Sequence, residues 1–130
     1  MIVGIGVDSV EIERFQYWHT YSRKKLSRVF SSEEIDYCLS VSTKSAERFA
    51  ARFAAKEAFF KAFCAAFSGA YVPFLTVCRY VSIRKDDTGR PDIAIEYSCF
   101  MKDLIKDYDF HISLTHTQSV ATAFAIIEKI

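Results

Sequence analysis

Val3, Ile5 and Val7 alternate with Gly4, Gly6 and Asp8 across residues 2–10, a period of two that predicts a β-strand. The branched side chains mark the expected core face, and the opposite face carries two glycines and a carboxylate. Residues 11–28 read as helical but broken, with Phe15, Tyr17, Trp18 and Tyr21 set among charges. A short helix is expected to begin at Ser31 or Ser32, whose hydroxyls can cap it, with Glu34 near the capping-box position. The longest helical segment covers about residues 44–67, rich in alanine and stopped by Ser68-Gly69.

Beyond a loop through Pro73, residues 76–84 and 92–97 have the composition of strands joined in a hairpin around Asp86-Asp87-Thr88-Gly89-Arg90-Pro91, all turn formers. A short helix is expected over 98–106, then strands at 111–117 and 120–127. Strands at both ends of a helical first half predict an α+β fold, with a mostly antiparallel sheet packed against a long buried helix. At 130 residues, surface scaling gives about 7,000 Å² exposed when folded against about 21,600 Å² extended. That is enough burial for one core, so residues 1–130 are expected to form a single domain.

A hydrophobic fraction of 51 % excludes disorder and collagen-like structure. The longest uncharged stretch, from Ala62 to Cys78, contains Gly69 and Pro73 and falls short of the ~20 apolar residues of a membrane span. Asp8, Glu11 and Glu13 follow the first apolar run with no basic segment before it, unlike a secretory signal. A cytoplasmic chain beginning at Met1 and having no membrane partner is the expectation. Cys38, Cys64, Cys78 and Cys99 form no C-x-x-C pair, which predicts reduced core thiols instead of a zinc site or disulfides. A net charge of +1 argues against a globally basic nucleic-acid binder, yet Arg14, Arg23, Lys24, Lys25 and Arg28 concentrate five of the 17 basic residues within 14–28.

Gly4 and Gly6 clear a path along the strand toward Asp8, and two explanations suit them: a ligand's approach to the carboxylate, or the close packing of another backbone. The Gly-x-Gly lies inside a strand and lacks the third glycine of a dinucleotide fingerprint. On the long helix, Phe49, Phe53, Phe60, Phe63 and Phe67 gather on one side and Ala51, Ala55, Ala58, Ala62 and Ala65 on the other. A helix so covered leaves little water for Arg48, Arg52 and Lys56, spaced at i, i+4, i+8, or for the i, i+4 pair Glu57 and Lys61, and these charges need partners. His116, at the end of a strand pattern, suits either a structural histidine or a ligand contact.

Four segments in order, Gly4-Ile5-Gly6-Val7-Asp8, Phe53-Ala54-Ala55-Lys56-Glu57-Ala58-Phe59-Phe60-Lys61-Ala62, Gly89-Arg90-Pro91 and Ser113-Leu114-Thr115-His116-Thr117, resemble the phosphopantetheinyl transferases, specifically the short bacterial holo-acyl-carrier-protein synthases. The resemblance implies magnesium-dependent transfer of the phosphopantetheine arm of coenzyme A to a serine of apo acyl carrier protein, in fatty acid synthesis. It implies Asp8 and Glu57 as metal ligands, with Glu57 also taking the serine proton, and Lys61 and His116 on phosphate oxygens. Those residue types suit the chemistry, since Mg²⁺ takes one or two carboxylates plus water and phosphate oxygens. Arg52, Gly89, Arg90, Pro91 and Thr117 are carried over as coenzyme A contacts.

Family members of double length imply that a single unit forms its site between subunits, as a homotrimer. The acidic carrier protein is expected on Arg14, Arg23, Lys24, Lys25 and Arg28, with Phe15, Trp18 and Leu26 as apolar anchors. One departure stands out: many members place a glycine-rich turn soon after the lysine, whereas here glycine is delayed to Gly69. Rival functions are an RNA-binding module using the basic and aromatic residues of 14–28, and a coenzyme A or carrier-protein binder without transfer.

Overall fold

The computed structural model describes residues 1–69, 71–96 and 105–130. Strand β1 (Ile2–Glu11) is followed by two 3₁₀ turns, Ile12–Phe15 and Trp18–Thr20, and by the one-turn helix α1 (Arg23–Leu26). Helix α2 (Ser32–Leu39) leads to the 22-residue helix α3 (Ser45–Ala66). Helix α4 (Phe74–Tyr80) runs directly into β2 (Val81–Lys85), which turns back as β3 (Pro91–Ile95); β4 (Tyr108–His116) and β5 (Val120–Lys129) complete the chain. Two antiparallel sheets result, one in the order β1-β5-β4 and one pairing β2 with β3. The α+β class and the antiparallel pairing agree with the sequence expectation. Among the described residues no helix is long and apolar enough to cross a membrane.

α3 lies across the three-stranded sheet, and small residues on both surfaces permit that approach. Gly4 and Gly6 face Ala62 and Ala58 so closely that a methyl on either glycine would collide with the helix carbonyl oxygens. Ala121, Ala123 and Ala125 extend the same small-residue surface along β5, all buried. The phenylalanines of α3 flank this seam. Phe53 and Phe60 pack on Phe74 of α4, while Phe59 meets Phe110 and Phe67 meets Tyr108 of β4.

This packing reverses the expected face of β1. Gly4, Gly6 and Val10 are buried, whereas Ile5 and Val7 are 53 % and 51 % exposed, because the helix needs a surface without side chains more than it needs one with methyls. The strand expected over 76–84 is helical up to Tyr80. Its β-branched Thr76 and Val77 suggest extension, but Phe74, Val77, Cys78 and Val81 recur at helical spacing and face the core. The broken helix over 11–28 is reduced to two 3₁₀ turns and one helical turn. Within the 98–106 segment only a 3₁₀ turn at Ile105–Asp107 begins inside the described residues; 97–104 lie outside them.

Local signals were more faithful elsewhere. Ser31 caps α2 in a full capping box, its hydroxyl accepting from Glu34 N and its own N–H donating to Glu34 Oε1. The β2–β3 turn closes on Asp86, whose Oδ1 accepts from Thr88 N at 2.8 Å and Arg90 N at 2.9 Å. Gly89 there takes φ +82°, a conformation that favours glycine. Cys38 and Cys78 are buried, with thiols pushed up to about 12 chiefly by burial, but Cys64 is exposed on α3 and is no core thiol. Cys99 lies outside the described residues.

Gly6→Ala is expected to destabilise the fold by about 3 kcal/mol or more, since neither opposing backbone can yield. Gly69→Ala, with open space around it, should change stability by no more than about 0.5 kcal/mol. Urea denaturation of both variants checks the contrast; equal midpoints would show that the helix–strand seam is not close-packed.

Candidate functional site

β1 and α3 bring Asp8, Glu57 and Lys61 together. Asp8 follows Gly6 on the inward face of the strand, so the backbone contact at Gly6 and Ala58 also sets Asp8 beside the next turns of the helix. Lys61 Nζ donates to Asp8 Oδ1 at 3.1 Å and to Val7 O at 3.0 Å. Lys61 thus pairs with the strand carboxylate, where the sequence suggested Glu57 at i−4. Asp8 Oδ2 is buried and receives no N–H or hydroxyl donor; the group interacting with Asp8 from the helix is the Glu57 carboxyl.

Glu57 carries a carboxyl whose pKa is raised, first by burial, then by the charge of Asp8 and a shared-proton hydrogen bond with it; Lys61 and Arg14 pull it back only in part. Two carboxylates that share a proton only when one is neutral are, once both ionise, short of positive charge. The adjoining carboxyls of Asp8 and Glu57 make a donor pair suited to a hard divalent cation. Arg14, expected at the partner surface, lies near Glu57, its guanidinium carbon 5.9 Å from the Phe53 ring.

A second group lines a cavity of about 290 Å³ that includes Tyr37 of α2, Lys44 just before α3, Glu47, Arg48 and Arg52 along α3, Lys85 and Pro91 from the hairpin, and Thr115 and His116 of β4. Four fixed cations face one carboxylate, a composition that attracts anions. Arg52 is only 6 % exposed and its Nε is buried without a partner. His116 Nδ1 lies 3.2 Å from Thr117 O and 4.0 Å from Glu47 Oε2.

Of the expected coenzyme A contacts, Arg52, Pro91 and His116 meet in this cavity. Gly89 and Arg90 do not line it and instead close the hairpin, while Thr117 Oγ1 accepts from Ser119 N and Val120 N in the β4–β5 turn. Asp8, Glu57 and Lys61 belong to neither this cavity nor its lining. Tyr37, Lys44, Arg48, Lys85 and Thr115 were not singled out as site residues from sequence. Arg48 was visible as the preceding member of the Arg52 row, and Lys85 is the cross-strand partner of Pro91, a pairing readable only after the hairpin register is known.

In the basic stretch, Arg23 is tied to Asp36 at 2.7 Å, Lys25 stands 3.9 Å from the Tyr21 ring, and Lys24 and Arg28 line a groove with Leu75 and Arg79. Phe15 and Leu26 are buried in the core and cannot serve as anchors; Trp18 is half-buried, packed against Phe15, Phe30, Phe49 and Phe53. Leu75 lies exposed beside Lys24 and Arg28 in that groove.

The antiparallel sheet crossed by an alanine-rich helix defines an α+β framework with a carboxylate pair and an arginine-lined cavity on that one helix. Residues 4–125 match the 4'-phosphopantetheinyl transferase superfamily, and the chain belongs to that family. It is 36 % identical over 129 residues to a holo-[acyl-carrier-protein] synthase of Treponema denticola, covering 98 % of this chain and 99 % of the relative. Identity to the synthase of Bacillus subtilis is 34 % over 130 residues, covering 100 % and 98 % of the two chains. Among solved structures, the Mycobacterium tuberculosis acyl carrier protein synthase superposes with a TM-score of 0.73 at 32 % identity over 100 % of both chains. The Chronobacterium ammoniagenes ACPS-CoA complex does so with a TM-score of 0.80 at 26 % identity, over 98 % of this chain and 97 % of that one.

The raised pKa of Glu57 means that folding favours its neutral form. That contribution is intact below the ordinary glutamate value and is lost as pH rises through the raised value. In divalent-free buffer Glu57→Gln should therefore raise the thermal midpoint at neutral pH, with the gap closing as pH falls toward about 4. A gap of the same size at both pH values would show that neither burial nor Asp8 raises the Glu57 carboxyl in the folded protein.

Proposed function

We propose that this chain is a magnesium-dependent holo-acyl-carrier-protein synthase acting in fatty acid synthesis. The observation that carries this reading is the pair of adjoining carboxyls, Asp8 and Glu57, where no N–H or hydroxyl donor reaches Asp8 Oδ2, on a chain of this family. Asp8 and Glu57 are the residues that would hold the cation. When bound, Mg²⁺ supplies neutralisation of charge on the coenzyme A diphosphate.

The serine oxygen of the carrier protein forms a bond to the phosphorus bearing the pantetheine arm, and the bond from that phosphorus to the bridging oxygen breaks. Adenosine 3',5'-bisphosphate leaves with the electron pair. Glu57, more basic than an ordinary glutamate, takes the serine proton directly or through one water. Lys61 has two of its three ammonium donors engaged, on Asp8 and Val7, leaving one for a phosphate oxygen. Arg52, Arg48, Lys44, Lys85 and His116 hold a phosphate of coenzyme A in their cavity, beside Pro91. Arg90, Gly89 and Thr117 contribute by shaping the two turns that border Pro91 and His116.

The carboxylate pair and the basic cavity share no lining residue in one chain, which supports a site completed between subunits. Ile5, Val7 and Phe124 lie exposed on the open face of the sheet, Val7 directly opposite Phe124, and this apolar face suits a homotrimer interface. The carrier protein docks on Arg14, Arg23, Lys24, Lys25 and Arg28, with Leu75 as the apolar contact. Free Cys38, Cys64 and Cys78 suit the reducing cytoplasm, and the reading assigns no nucleic acid or membrane partner.

Incubation with coenzyme A, apo carrier protein and Mg²⁺, followed by intact mass measurement, should show the carrier gaining one phosphopantetheine. Asp8→Ala and Glu57→Ala should each lose transfer by at least about 100-fold while remaining folded; near-normal turnover at saturating Mg²⁺ would remove that residue from the site. Because Arg14 also acts on Glu57, the cleaner docking variant is Lys24→Glu with Arg28→Glu. It should raise carrier-protein KM about tenfold and weaken its salt dependence without altering coenzyme A binding.

Sedimentation should report a trimer that dissociates and loses activity when Val7 and Phe124 are both changed to Glu. A fully active wild-type monomer would overturn the interfacial site.

A further inference from the structure

We propose that Tyr37 is a positioning residue that holds Arg48 and Arg52 edge-on to the anion in the basic cavity. The inference rests on the reading of that cavity as a phosphate seat. The guanidinium carbons of Arg48 and Arg52 stand 4.1 Å and 4.0 Å from the Tyr37 ring centroid, and Lys85 Nζ stands 5.0 Å from it. Three cations from two elements therefore converge on one aromatic ring. The negative face of the ring offsets their mutual repulsion.

Stacking occupies the face of a guanidinium and leaves its in-plane N–H donors free, the edge that grips phosphate in a bidentate way. Arg52 fits this division of labour: it is 94 % buried, its guanidinium carbon lies over the ring at stacking distance, and its Nε–H has no partner. Arg48 is fixed further by donating to Tyr37 O and Ser40 Oγ, both at 2.9 Å.

Tyr37, Arg52 and Lys85 also line a neighbouring cavity of about 240 Å³ that contains Glu33 and Glu34. The ring thus forms part of the wall between the cationic pocket and these acids. Removing it opens a route for Arg52 to turn toward Glu33, away from the anion. The phenol follows the same electrostatics: burial would raise its pKa, but the hydrogen bond with Lys85 and the charges of Arg52 and Arg48 outweigh burial and lower it.

The test compares the full-length protein with Tyr37→Phe, which keeps the ring, and Tyr37→Leu, which removes it. Calorimetric titration with coenzyme A should give Tyr37→Leu a Kd about tenfold weaker than wild type and Tyr37→Phe a Kd within about twofold. Transfer assays should show the same ratio in KM for coenzyme A, with kcat and carrier-protein KM unchanged. A folded Tyr37→Leu that binds coenzyme A as tightly as wild type overturns the proposal, as does a Tyr37→Phe as weak as Leu.

A second measurement does not depend on transfer or on the variants folding. In wild-type protein the Nε–Hε resonances of Arg48 and Arg52 should be shifted upfield by the ring current; resonances at the positions of exposed arginines overturn the proposal. Wild-type protein with shifted resonances but no coenzyme A binding would instead sink the functional reading and leave the ring–arginine arrangement standing.

Discussion

The absence of side chains at Gly4 and Gly6 is the constraint on which the site depends. α3 can rest its backbone on β1 only there, and its alanines at 58 and 62 are the matching surface. That contact fixes both the separation and the rotation of the helix. Once Ala58 faces Gly6, Glu57 and Lys61 fall beside the strand at Asp8, and three charged groups from distant parts of the chain meet. The same contact turns Ile5 and Val7 outward, so the price of the close seam is an apolar face left open on the other side of the sheet.

A buried ion pair sets the opposite side of α3. Lys56 and Glu34 are both fully enclosed and 2.7 Å apart, a situation that costs stability unless every remaining donor and acceptor is satisfied. Here they are. Lys56 Nζ also donates to Val29 O and Cys78 O, and Glu34 accepts from Ser31 N and Ile83 N. The pair binds α2, α3, the end of α4 and β2 in one register. Tyr37 lies one turn beyond Glu34 on α2 and Arg52 one turn before Lys56 on α3, so the buried pair brings the ring and the guanidinium within stacking distance. Specificity of register is its evident contribution.

What could be read from sequence follows the range of the forces involved. The capping box at Ser31, the alanine-rich α3 and the Asp86 hairpin are written in residues a few positions apart, and each appeared where expected. The triad of Asp8, Glu57 and Lys61 was found because motif resemblance carries long-range information that periodicity lacks. Periodicity misassigned β1, since a two-residue alternation shows that two faces differ but not which one a helix will need. It also misassigned residues 76–80, where β-branched residues outvoted a helical spacing that only packing on Phe53 and Phe60 makes decisive. The cavity around Arg52 was half legible: His116 and Pro91 came from motifs, but Tyr37, Lys44 and Lys85 arrive on three separate elements.

The pattern of unsatisfied groups separates scaffold from site. Lys56 and Glu34, at zero exposure, use their hydrogen-bonding capacity internally and have no call for a ligand. Among the described residues, the buried side-chain atoms left without a partner are Asp8 Oδ2, Arg52 Nε and Ser45 Oγ. Ser45 Oγ sits at the start of α3 and belongs to neither cluster. The other two are an anionic oxygen beside a second carboxylate and a cationic donor in a basic cavity, complementary in kind to a metal ion and to a phosphate. Asp8 is paired through Oδ1 with Lys61 and Arg52 packs on Tyr37, so each charge is compensated in part, and a ligand of opposite charge at the remaining atom would lower the cost that is left. Under the proposed function these are the two positions at which a metal ion and a phosphate of the same substrate would be received, and neither belongs to the scaffold that Lys56 and Glu34 complete.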